Sequence, residues 1–90
     1  MDDNLARNEK WSVYVLRCRD GSLYTGITND LQRRCRQHQA GTASRYTRSR
    51  RPVHLVHAES ASSRGDALRR EAAIKAMSKA RKESLFRDAG

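Results

Sequence analysis

Ninety residues make one domain's worth of chain, with no room for a second core. A formal charge of +9 and a pI near 10.6 point away from basic partners and toward a polyanion. No apolar run approaches the roughly 18 residues of a membrane span and there is no secretory leader core, so a cytoplasmic protein without a membrane partner is expected.

Residues 1–9, MDDNLARNE, read as a frayed terminus, which leaves 10–88 as a single folded unit. Residues 11–18, WSVYVLRC, are rich in aromatic and β-branched types and suit a half-buried strand. Asp20-Gly21 is a strong hairpin signal, and SLYTGI over 22–27 is the returning strand. A strict two-residue turn would pair Arg17 with Tyr24 and send Tyr14 and Tyr24 to opposite sheet faces. An odd loop such as Asp20-Gly21-Ser22, or a bulge, brings both phenols to one face, and that shift is predicted.

Asn29 or Asp30 can cap the next helix, LQRRCRQHQA, and Gly41 can end it. Leu31, Arg34, Cys35 and His38 share one face of that helix. If Leu31 and Cys35 pack onto the sheet, Arg34 and His38 must point there too, and charged groups so placed usually have a partner. TASRYTRSRR, 42–51, reads as a basic loop, and PVHLVHAE, beginning at Pro52, as a third strand. Ser63 with Asp66 resembles a capping box for a helix through ALRREAAIKAM, while Ser78 caps a last helix docked by Leu85 and Phe86. Glu71 interrupts the apolar arc of Ala67, Leu68 and Ile74. An ion pair with Lys75 at i+4 is its ordinary explanation.

All ten acidic residues lie outside 31–58, a stretch that holds Arg33, Arg34, Arg36, Arg45, Arg48, Arg50 and Arg51. Such a block is the electrostatic footprint of nucleic acid. Arg33, Arg45, Arg48, Arg50 and Arg51 are expected to lie against its backbone, with Tyr46 as a stacking or packing aromatic. No basic stretch has the aromatic or leucine face of an interfacial helix. Cys18 and Cys35 are too few for a disulfide framework, lack metal-ligand spacing and read as small buried hydrophobes. Zinc-spaced histidines, a Gly-rich phosphate loop and a Ser-His-Asp set are all missing from the sequence.

What remains has a definite order: Val13-Tyr14-Val15, Tyr24-Thr25-Gly26, Arg34, His38 a turn later, and Glu71 within LRREAAIK. Over residues 11–86 this resembles the GIY-YIG nuclease superfamily, and in detail its small stand-alone, UPF0213-like members. The resemblance implies an α/β (α+β) fold, a three-stranded antiparallel sheet flanked by helices, with the site on one sheet face. It further implies Tyr14, Tyr24, Arg34 and His38 as catalytic residues and Glu71 as ligand to one divalent cation, Mg²⁺ or Mn²⁺. Such a metal polarises the phosphate, Arg34 offers a planar fork to its oxygens, and a tyrosine orients or deprotonates water. Which tyrosine does so stays open. Ser12 and Thr25 replace motif residues, Ile27 stands where several family nucleases carry lysine, and no asparagine follows Asn29. The expected activity is metal-dependent cleavage of DNA, selective for structure rather than sequence, by a monomer. The alternative is a non-catalytic nucleic-acid-binding module on the same scaffold.

Overall fold

A computed structural model describes residues 10–89; the expectation for residues 1–9 lies outside them. Strand β1 (Trp11–Arg17) turns into β2 (Leu23–Thr28), followed by helix α1 (Leu31–Ala40) and a short helix α2 (Arg45–Arg48). Strand β3 (His54–Ala61), helix α3 (Arg64–Lys75) and helix α4 (Lys79–Ala89) complete the chain. The sheet is three-stranded and antiparallel in the order β2-β1-β3. No helix among the described residues is long and apolar enough to cross a membrane.

Local chemistry sets these boundaries. Asp30 caps α1 by accepting from the Arg33 amide, and Gly41 closes it at φ 84°. Ser63 caps α3 by accepting from the Asp66 amide, and Ser78 does the same for Arg81 in α4. Each such cap contributes about 1 kcal/mol. The third strand starts two residues later than expected, at His54, and runs to Ala61. Val53 just before it is buried and bracketed by the Gln39 side-chain amide, which donates to its carbonyl and accepts from its N–H.

The hairpin loop has odd length. Arg17 pairs with Leu23, and the Cys18 amide donates to the Ser22 carbonyl, leaving Arg19-Asp20-Gly21 outside the ladder. The loop falls one residue earlier than the example expected from sequence, with the same consequence. Gly21 takes φ 86°, a conformation that costs glycine little, and Asp20 accepts from the amide and hydroxyl of Ser22. Leu16 now pairs with Tyr24 and Tyr14 with Gly26, so both phenols share a face.

Alternation along β1 divides the interior into two layers. Val13 and Val15 meet Ala67, Ile74 and Phe86 in an aliphatic cluster under α3 and α4. Full burial of each large apolar side chain there stabilises the fold by roughly 1.5–3 kcal/mol. Tyr14, Leu16, Cys18 and Val53 face the other way, with Tyr24, Leu31 and Cys35 packed against them. Both cysteines are free, and burial raises the Cys35 thiol pKa, in keeping with a packing role.

Helix α3 corrects one detail. Its inward stripe is Ala67, Arg70, Glu71 and Ile74, whereas Leu68 is 38% exposed. A rotation of about one position explains this, since Ala67 and Ile74 fix the face and Leu68 falls beyond its edge. An ion pair ties the last helix to the sheet: Arg17 donates from its two terminal guanidinium nitrogens to Glu83, at 2.7 and 2.9 Å.

Candidate active site

Tyr14 lies at the centre of the polar layer, 1% exposed on the middle strand. Its phenol leans across the neighbouring strand at Gly26, where a Cβ would stand 2.6 Å from the hydroxyl oxygen. Only glycine leaves that volume open. His38, fully buried on the sheet side of α1, is 2.8 Å through Nε2 from the Tyr14 hydroxyl. Its Nδ1 is 2.8 Å from the Thr47 hydroxyl of α2, which is 2.9 Å from the Ser44 hydroxyl. Among uncharged partners a phenol is a better acid than an imidazole N–H. Tyr14 therefore donates to Nε2, and Nδ1 carries the proton and donates to Thr47.

The second phenol closes the cluster. The ring of Tyr24 lies 6.4 Å from that of Tyr14 and 5.1 Å from the imidazole. Arg34, half-buried on α1, makes no ion pair among the described residues. Its charge nevertheless reaches both Tyr14 and His38. Burial first, then the Tyr24 phenol, pushes the Tyr14 pKa well above the ordinary tyrosine value, with Arg34 opposing them. Burial and then Arg34 lower that of His38. At rest the proton stays on the phenol and the imidazole is neutral.

Glu71 is on α3, whose Ala67 and Ile74 pack under the Val13–Val15 face, and its charge reaches Tyr14 as the smallest of several effects on that phenol. Its side chain is 18% exposed and its carboxylate is 3.2 Å from Lys75 Nζ, so the ordinary i,i+4 pair and the inward placement coexist. It is not the only half-buried carboxylate. Glu59 on β3 takes two bonds from Arg70 and one from His57, among residues that pair with the Val13–Val15 face. Among the described residues no three His, Cys, Asp or Glu side chains gather as a metal cage. The chemistry of Glu71, a hard carboxylate donor, fits Mg²⁺, which keeps several waters and takes one or two carboxylates beside substrate phosphate.

The basic loop divides in two. Arg45 and Arg48 are exposed and line a depression with residues 41–44. Arg33 is exposed beside Arg34. Arg50 and Arg51 are committed internally. Arg50 pairs with Asp20, donates to the Tyr46 carbonyl and lies 3.8 Å over the Tyr46 ring; Arg51 donates to the carbonyls of Arg48 and Gln39. Tyr46 also stacks on Tyr24 at 6.0 Å, which makes it mainly a packing aromatic.

The GIY-YIG catalytic domain matches residues 10–84 of this chain. The chain belongs to the GIY-YIG family. This GIY-YIG domain is 54% identical over 74 residues to a UPF0213 protein of Halobacterium salinarum, covering 82% of this chain and 96% of that one. Against a UPF0213 protein of Bacillus velezensis the identity is 45% over 75 residues, covering 83% and 76%. The solution NMR structure of a UPF0213 protein from Bacillus halodurans matches with a TM-score of 0.55 at 42% identity, over 84% of this chain and 81% of that one. That of a protein from E. faecalis matches at 0.59 and 36%, over 88% and 85%. The GIY-YIG motif here is Ser12-Val13-Tyr14 with Tyr24-Thr25-Gly26, and the close approach of Tyr14 to Gly26 explains why a glycine ends it. Thr47 and Ser44 escaped the sequence reading. The Ser-x-x-Thr spacing is a weak helix-start signal, and nothing in it announces a partner nine residues upstream.

Proposed function

We propose that this domain hydrolyses phosphodiester bonds in nucleic acid, DNA foremost, recognising structure rather than sequence. The observation that carries the reading is the cluster of Tyr14, Tyr24 and His38 on one sheet face, within reach of the Arg34 charge. Arg34, with no acidic partner among the described residues, is available to the oxygens of a phosphate. Tyr14 can take a proton from an attacking water as its own proton passes to His38 Nε2, 2.8 Å away. Thr47 keeps the other imidazole nitrogen occupied, so Nε2 is the one free to accept. Tyr24, half-buried and without a hydroxyl partner among the described residues, orients the phosphate or the water. Glu71 would hold Mg²⁺ or Mn²⁺, which when bound polarises the phosphate and stabilises the leaving oxygen.

The test is cleavage of branched, single-stranded and duplex substrates, with and without Mg²⁺ or Mn²⁺, by the wild type and by Arg34→Ala and Glu71→Ala. Arg34→Ala should lower turnover by ~10²–10³-fold, the cost of losing one transition-state donor. Glu71→Ala should abolish metal-dependent cleavage while metal-free binding survives. The resting Glu71–Lys75 pair and the protonated, buried Tyr14 also suit a domain that only binds. Tight binding with no cleavage under any condition transfers the conclusion to that reading.

A further inference from the structure

Beside the cluster, at the β2 edge, is a cavity of about 250 Å³ lined by Leu23, Tyr24, Thr25, Tyr46, Lys75 and Lys82. Its lining holds two ammonium groups and two phenols but no carboxylate. Neither phenol hydroxyl has a hydrogen-bond partner among the described residues. Neighbouring cations are matched to acids: Arg17 and Lys79 to Glu83, and Lys75 to Glu71. Lys82 is the exception, half-buried on α4 with no ion pair among the described residues. A cation with no counter-ion among the described residues, beside a cavity lined by no carboxylate, favours an anion there. Compact ammonium charges and phenolic donors suit phosphate, and the flanks of Leu23 and the tyrosine rings suit a sugar.

We infer that this cavity binds a backbone phosphate of the nucleic-acid strand, flanking the bond held at Arg34, with Lys82 as its principal cation. The inference rests on the nucleic-acid reading above and adds a second contact to it. Tyr24 is a wall of both cavity and cluster, and Tyr46 is on α2 between the exposed Arg45 and Arg48, so the strand runs from α2 past the two rings to α4.

The experiment is titration of labelled single-stranded and duplex oligonucleotides without divalent metal, at several salt concentrations, with wild type, Lys82→Gln and Lys82→Glu. Amide spectra of all three check folding. Loss of one phosphate contact should reduce the slope of log K against log salt by ~0.7 for single strands or ~0.9 for duplex in Lys82→Gln, and by more in Lys82→Glu. In the wild type, oligonucleotide should shift the amides of Leu23, Tyr24 and Thr25. An unchanged slope in both variants, with wild-type binding intact, overturns the cavity contact and leaves the nucleic-acid reading standing. If the wild type binds no oligonucleotide, both fall. Inorganic phosphate or a nucleoside monophosphate shifting those three amides would then make the cavity a free-phosphate site instead.

Discussion

A threonine that nothing in the sequence singles out holds the imidazole that faces Tyr14. Thr47 is fully buried, and its hydroxyl is the only partner of His38 Nδ1 among the described residues. Thr47→Val keeps the shape and strands that nitrogen. Stability should fall by about 1–3 kcal/mol, the cost of a buried group left unpaired. ¹⁵N shifts of His38 should report a changed tautomer balance, and a spectrum identical to wild type would remove Thr47 from the relay. Protonation is the second residue-level handle. The His38 pKa is depressed below its ordinary 6.5. Its contribution is therefore fully present above that value and is lost as pH falls toward the depressed folded pKa. Denaturant titrations should show stability declining below pH 6.5, and His38→Gln should flatten that limb; equal slopes in both proteins would refute the assignment.

At the scale of elements, much was legible because short-range chemistry dictates it. Asp30 and Gly41 delimit α1 where a cap and a left-handed closing residue were expected, and the Leu31-Arg34-Cys35-His38 face points inward. What stayed hidden depends on longer range. Helix α2 is four residues in a basic stretch with no apolar period to betray it. The misplaced Leu68 shows that a wheel drawn from hydrophobicity is turned by its largest side chain, whereas packing chose Ala67 and Ile74. The Tyr14–His38 bond spans 24 residues, beyond any local pattern; the helix wheel turned His38 toward the sheet without naming its partner. The hairpin loop offers a direct test. Deleting Gly21 shifts the pairing by one and sends Tyr24 to the aliphatic layer, so its ring contacts with His38 should vanish. Inserting two residues after Asp20 should preserve them at a closure cost of a few tenths of a kcal/mol. Ring-to-ring nuclear Overhauser effects that persist in the deletion would contradict the register.

For the whole molecule, the charge of +9 is not one uniform resource. Arg45 and Arg48 are free to meet a polyanion, whereas Arg50 and Arg51 bind the loop to its own scaffold. Arg45→Ala and Arg48→Ala should each reduce the salt slope of binding by ~0.7–0.9 with little effect on melting. Arg50→Ala should lower the melting temperature instead, since Asp20 and the Tyr46 ring lose their partner. Equal slopes across all three variants would mean that the division is not functional.

The two-sided sheet has a dynamic corollary. Val13, Val15, Ala67, Ile74 and Phe86 can stay closed under α3 and α4 while α1 and α2 lift from the opposite face, because the buried side chains of β1 divide between two separate clusters. Local opening follows the apolar area each unit protects, and the polar layer protects less. Amide protons of α1 and α2 should exchange with deuterium well ahead of those in β1 and the Ala67–Ile74 segment of α3. Such an opening would expose the Tyr14–His38 face without partial unfolding of the layer that keeps the domain folded.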